Sequence, residues 1–315
     1  MNRKAIIFGI KGHKLSKKEK YLFKKIKPWG IILFKRNIKD IHQLKFLVKE
    51  IKNAFSDKKF PILIDQEGGA VSRLDNIINL KFFSQSFFGK LYSKDIKLFN
   101  KMYKIYIDSI CEIFNSVGIN INTLPVLDIK NNKENNFIGS RSFSNNPRVV
   151  SLLGNKCIDL HNRNKIGTVI KHIPGHGNSN TDSHKKTPII ASKKSSLIKK
   201  DFKPFLSCKA MFAMTAHIIY LSYDKFNTAT HSSKIIKNVI RGNINFKGIL
   251  ISDDISMKAL KYNYKENAIK ALNSGCNLAL HCNGNIREMQ QLSKIIPTID
   301  NFTKKKTSDF YKFLG

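Results

Sequence analysis

At 315 residues the chain is long enough to bury a substantial core, as one large domain or as two ordinary ones. A hydrophobic share of 42% with 22 Phe excludes a disordered chain. The formal charge of +34 would suit a polyanion-binding surface if it clustered, but Lys runs through the whole sequence beside Asn, Ile and Phe, with no arginine-rich arm, so it reads as solvated faces of biased composition.

The N-terminus "MNRKAIIFGIKGHKL" starts basic, yet its apolar run is interrupted at Gly9, Lys11 and Gly12, too short for a secretory signal. It reads instead as a first strand, "AIIFG" at 5–9. Similar β-branched runs follow at 30–34 (GIILF), 61–65 (PILID), 121–128 (INTLPVLD), 167–172 (GTVIKH), 211–217 (MFAMTAH), 248–254 (GILISDD) and 277–281 (NLALH). Between them the amphipathic pattern predicts helices at about 15–26, 38–55, 87–117, 146–164, 194–209, 231–242, 263–274 and 285–295. Ser16, Asp40, Asn146 followed by Pro147, and the Ser232–Ser233 pair supply starting signals. Residues 300–315 predict a short tail or helix docked by Phe310 and Phe313.

Strands alternating with helices imply a parallel sheet, because each parallel crossover needs a helix to return the chain. Eight such strands predict an α/β fold, a single (β/α)8 TIM-type barrel over residues 1–315, with a doubly wound open sheet as the alternative. No linker or internal repeat divides the chain. Cys111, Cys157, Cys208, Cys276 and Cys282 are odd in number and widely separated, so they read as buried thiols in a reducing, cytoplasmic protein. No run of 18 apolar residues offers a membrane span.

Polar side chains gather where these strands end, the face on which barrel enzymes build their sites: Asp65, Asp128, Lys171 with His172, His217, and Asp253 with Asp254. Each has an ordinary alternative. A strand-end Asp often caps the next helix, His217 suits a satisfied core histidine, and Gly68–Gly69 suits a plain turn. Only their joint placement points to an enzyme.

The segment "KHIPGHGNSNTDSHKKTP" (171–188) adds three histidines and an aspartate. His172 and His176 have the spacing of a helical zinc pair, but Pro174, Gly175 and Gly177 prohibit the helix, which argues against a metal site. Asp182 can orient His184, leaving the other ring nitrogen to carry a proton. With a carboxylate from the seventh strand, Asp253 or Asp254, this dyad supplies the parts for double-displacement glycoside hydrolysis, imidazole replacing the usual second carboxyl.

The sequence resembles the family 3 glycoside hydrolases, in particular their bacterial cytoplasmic β-N-acetylglucosaminidases of cell-wall recycling. "KHIPGHGNSNTDSH", "GILISDDISM", "LIDQEGGAVSRL", "GIILFKRNI", "INTLPVLDI", "IGSRSFSNNP" and "AMTAHIIY" match family segments in the right order over roughly residues 5–284. The resemblance implies Asp253 as nucleophile, His184 as general acid and then base, and Asp182 as its partner. It implies that Asp65, Arg73, Arg141, Lys171 and His172 hold an N-acetylglucosamine ring. It implies no metal and no organic cofactor. Ala70, Ser140, Asn178, His231 and Asn277 depart from the family pattern without removing a proposed catalytic group.

The expectation is therefore a retaining exo-β-N-acetylglucosaminidase acting on N-acetylglucosaminyl-anhydromuramic acid and its muropeptides. Gly175 and Gly177 would let the loop swing His184 over the substrate. As partners, a small carbohydrate or muropeptide is expected, with no specific nucleic acid, no membrane insertion and a monomeric state. The alternatives are another family 3 β-glycosidase, acting on glucosides or xylosides, or a basic nucleic-acid-binding protein.

Overall fold

The computed structural model describes residues 2–130, 138–177, 186–206 and 208–315. Among them are the strands β1 (Lys4–Gly9), β2 (Pro28–Leu33), β3 (Ile62–Ile64), β4 (Ile121–Asn122), β5 (Gly167–Ile173), β6 (Ile189–Ile190), β7 (Phe212–Thr215), β8 (Ile219–Tyr220), β9 (Ile249–Asp254) and β10 (Leu278–His281). Eight close into a barrel in the order β1-β10-β9-β7-β5-β4-β3-β2, every pair parallel. Each of the eight apolar runs read from the sequence supplies one barrel strand, so the fold is the (β/α)8 barrel and not the open sheet. β6 and β8 form a separate parallel pair, Ile189 opposite Ile219, too short to leave a periodic signal.

The helices are α1 (Lys17–Ile26), α2 (Ile41–Ala54), α3 (Gln85–Lys94), α4 (Ile96–Val117), α5 (Pro147–Arg163), α6 (Lys194–Lys199), α7 (Tyr264–Ser274), α8 (Ile286–Ile295) and α9 (Asn301–Phe313). They cover the barrel, which is why β2 and β5 are buried at every residue and read as unbroken apolar runs. Ser16 closes a capping box with Glu19, Asp40 accepts from the Gln43 amide at 2.8 Å, and Asn146 caps α5 ahead of Pro147.

Three expected elements are broken where local chemistry intervenes. The long helix expected at 87–117 is two helices, because Asp95 turns extended and its side chain caps the Leu98 amide. The helix expected at 194–209 stops at Lys199, and Pro204 lies in a 3-10 turn over Lys203–Phe205. Ile235–Asn243 winds as a π-helix. β4 is also shorter than expected: past Asn122 the chain meets Pro125, and it rejoins β5 only through a bridge between Val126 and Lys171.

Residues 301–313 form α9, which packs at the end of the barrel where strands begin. Its Phe310 ring lies 5.2 Å from that of Phe212, the first residue of β7, and Trp29 Nε1 in β2 donates to Thr307 Oγ1 at 2.9 Å. The opposite end, where strands finish, is left for the site. Among the described residues no helix is long and apolar enough to cross a membrane.

Candidate active site

Asp65 follows β3 directly, and the chain then reverses through Gly68 and Gly69, both at positive φ, with the Glu67 and Gly68 amides donating to the Val71 carbonyl. The reversal brings Arg73 back to Asp65. Its Nε donates to the Asp65 carbonyl at 3.1 Å and its terminal nitrogen to the carboxylate. Asp65 Oδ1 also accepts from Lys171 Nζ and from Thr123 Oγ1, each at 2.6 Å. Thus β3, β4 and β5 converge on one carboxylate.

Glu67 extends the network. It accepts two parallel bonds from Arg141, both 2.8 Å, and lies 2.6 Å from Lys171 Nζ. Burial drives the Asp65 carboxyl pKa upward, but Lys171 and Arg73 overcome this and hold it well below the usual carboxylate range. Glu67 is lowered in the same way, burial being outweighed by Arg141 and Lys171. Burial alone would lower Lys171, yet Asp65 and Glu67 raise it, so the ammonium stays charged.

His172 follows Lys171 across a cis peptide bond. Its Nδ1 lies 2.6 Å from Asp128 Oδ2, and its amide donates to the same carboxylate, as does the amide of His176 at 2.6 Å. Asp128 is wholly buried; burial raises its pKa, and His172 and His176 bring it below the ordinary value. The carboxylate keeps a proton on His172 Nδ1 and fixes the ring. Gly175 and Gly177 serve close packing at the root of this loop. A Cβ on Gly175 would stand 2.5 Å from the Asp201 carbonyl oxygen, and one on Gly177 2.1 Å from that of Ile129.

At the end of β9 the two aspartates part company. Asp254 spends its carboxylate on the following turn and on the next strand's exit, accepting from the Ser256 amide and hydroxyl and from the Cys282 amide. Asp253 accepts the Asp254 amide at 2.8 Å and lines the cavity. Burial raises the Asp253 carboxyl, but His217 first, then His172, the Asp254 amide and Lys171, pull it below its ordinary value. His217 is held between Thr230 Oγ1 at 2.7 Å and the Asp254 carbonyl oxygen at 3.0 Å. That carbonyl can only accept, so Nε2 bears a proton.

These groups meet in a cavity of about 210 Å³ at the finishing end of the strands. Asp65, Arg73, Arg141, Lys171, His172 and Asp253 all line it, with Phe34, Val71, Met214 and Leu280 as apolar wall. Asp182 and His184 lie outside the described residues. Cys282 also lines the cavity and is only half-buried, as is Cys208, so the reading of all five cysteines as buried thiols holds for Cys111, Cys157 and Cys276 alone. Asp128 and His217 stand among the polar strand-end residues read from the sequence, though without an assigned role, whereas Glu67 and Thr123 are additions of the structure. A signal existed for Glu67, since a buried Lys171 and a cavity-lining Arg141 require more negative charge than Asp65 supplies.

Residues 4–308 match the glycosyl hydrolase family 3 N-terminal domain. The chain belongs to glycoside hydrolase family 3. A relative from Actinobacillus pleuropneumoniae serotype 3, named beta-hexosaminidase, is 32% identical over 286 residues, covering 88% of this chain and 81% of its own. The beta-hexosaminidase of Haemophilus influenzae strain PittEE is 30% identical, covering 98% and 85%. Among solved structures, NagZ from Neisseria gonorrhoeae in complex with N-trifluoroacetyl-D-glucosamine superposes with a TM-score of 0.86 at 28% identity, covering all of this chain and 90% of that one.

Within this family 3 barrel the departures from the family pattern have local settings. Ala70 and Ser140 are exposed. His231 Nε2 faces the Asn267 carbonyl at 3.1 Å, and burial lowers its pKa to about 4. Asn277 accepts through Oδ1 from Arg241 and from the Leu250 amide, both at 2.8 Å, a task for which its amide oxygen replaces a carboxylate. Asn178 lies outside the described residues.

Proposed function

We propose that this family 3 glycoside hydrolase is a retaining exo-β-N-acetylglucosaminidase that removes terminal N-acetylglucosamine from N-acetylglucosaminyl-anhydromuramic acid and its muropeptides during cell-wall recycling, as a cytoplasmic monomer. The observation that carries this reading is the gathering of Asp253 with Asp65, Arg73, Arg141, Lys171 and His172 around one cavity with room for about a single sugar ring. The names of the curated relatives favour the aminosugar, as does the N-acylglucosamine in the Neisseria complex.

In this mechanism the Asp65 carboxylate accepts from sugar hydroxyls while Lys171, Arg73 and Arg141 donate to them, the ion pairs keeping each group in place. Asp253, ionised at neutral pH by its neighbours, attacks the anomeric carbon. Protonated His184 gives its proton to the departing oxygen, so the glycosidic bond breaks as the glycosyl ester forms. Neutral His184, oriented by Asp182, then takes a proton from water, whose oxygen displaces Asp253 and releases the sugar with retained configuration. Imidazole as the proton carrier avoids setting a second anion across the reacting centre.

Mass spectrometry of purified anhydro-muropeptides after incubation with the enzyme tests substrate and reaction together: loss of one N-acetylhexosamine unit is expected. Faster release of nitrophenol from the β-glucoside than from the β-N-acetylglucosaminide would overturn the aminosugar assignment.

A further inference from the structure

We propose that a basic groove beside the sugar cavity binds the carboxylates of an acidic peptide on the leaving portion of the substrate; this rests on the glycosidase reading above. The groove, about 1270 Å³, lies between the segments that follow β1 and β10, both leaving the barrel at the end that holds the sugar cavity, and reaches α2. Its cationic lining is Lys11, Lys14, Lys18 and Arg287, all exposed, against a single acid, Glu19.

Glu19 is buried and already engaged. It accepts from the Lys11 amide at 3.2 Å, the Ser16 amide at 2.8 Å and the Ser16 hydroxyl at 2.7 Å. Nearby Glu288 is likewise taken up by His281 Nε2, Asn283 and Asn285, at 2.7, 2.8 and 3.0 Å. Among the described residues, Lys11, Lys14, Lys18 and Arg287 therefore have no acidic partner. The groove presents net positive charge to whatever enters it.

In a chain this rich in lysine a basic patch alone decides nothing; its position does. Cys282 lines the sugar cavity and the next residue, Asn283, lines the groove. Arg36 ties the two walls together, donating to the Ile10 carbonyl at 3.0 Å and to that of Cys282, with its guanidinium 4.8 Å from the Phe34 ring that faces the sugar cavity. The two linings thus adjoin through neighbouring residues of one segment, and in this proposal the group on the anomeric oxygen leaves the sugar cavity toward the groove. There carboxylates meet Lys and Arg, and aliphatic side chains meet Phe46, which is 63% exposed, and Ile286. A neutral oligosaccharide would leave that charge unanswered.

The test compares three substrates: nitrophenyl β-N-acetylglucosaminide, a peptide-bearing anhydro-muropeptide with free carboxylates, and the same muropeptide with its carboxylates methyl-esterified. Wild type should show a lower KM for the free acid than for the ester, and the difference should shrink with added salt. In Lys11→Glu/Lys14→Glu and in Arg287→Glu, KM for the free acid should rise about tenfold while nitrophenyl turnover is unchanged, which also shows that the variants are folded. Unaltered KM for the free acid, or equal loss on all three substrates, overturns the groove assignment alone. A wild type that cleaves no N-acetylglucosaminide overturns the glycosidase reading, and the groove assignment with it.

Discussion

Replacing Glu67 by Gln keeps the side chain's shape and removes one negative charge from the buried network. Glu67 is 3% exposed and is not part of the cavity wall, so it acts through others, holding Arg141 by two bonds of 2.8 Å and Lys171 at 2.6 Å. Breaking a buried ion pair by removing one partner costs about 3–5 kcal/mol. Because the Gln amide oxygen still accepts one bond, the lower end applies, about 3 kcal/mol. Urea unfolding at pH 7 should therefore show a clearly lower midpoint for the variant. The folded pKa of Glu67 lies below its unfolded value, so its contribution is present above the unfolded value and lost as pH falls through the folded one; the gap between the two proteins should close in acid. Kinetics separate positioning from mere stability. With Arg141 and Lys171 loosened, KM for nitrophenyl β-N-acetylglucosaminide should rise about tenfold, equivalent to about 1.4 kcal/mol of binding, with a smaller change in kcat. Equal urea midpoints together with an unchanged KM would refute the account of how these two cations are held.

Asp253→Asn should lower kcat by at least about a thousandfold while product inhibition by N-acetylglucosamine persists, as isothermal titration would show; Asp254→Asn should instead cost stability. Gly89→Ala places a Cβ 1.8 Å from the Phe143 carbonyl oxygen, two residues beyond Arg141, and should destabilise by about 3 kcal/mol and raise KM, read by thermal unfolding and kinetics. Burial lowers the pKa values of His161, His176 and His231 to about 4 each, so the unfolded chain binds more protons between about pH 6.5 and 4. The urea midpoint should fall as pH drops through that window and fall further below about 4.5, where Asp65, Glu67, Asp128 and Asp253 begin to be protonated on unfolding.

The barrel was legible because its signal is local: each strand is a short apolar run, each return helix carries a period, and Ser16, Asp40 and Asn146 cap where they stand. What failed to show were features set by contacts between distant segments. Asp95 divides a helix whose apolar stripe continues through the break, and the pairing of Ile189 with Ile219 depends on two loops meeting, which no window of sequence contains.

The same division runs through the site. Strand-end placement was enough to gather Asp65, Lys171, His172 and Asp253, because in a barrel of parallel strands every strand's last residue faces one end. It was not enough to separate Asp253 from Asp254. Adjacent residues of β9 project to opposite sides of the strand, and what lies on each side belongs to other parts of the chain: Ser256 and the Cys282 amide for Asp254, the space shared with Lys171 and His172 for Asp253. A carboxylate with its oxygens occupied by backbone and hydroxyl donors is a structural anchor, and one that faces a cavity beside cations is available to a substrate. That distinction is a property of neighbours rather than of residue type, so it becomes readable only once the barrel has closed.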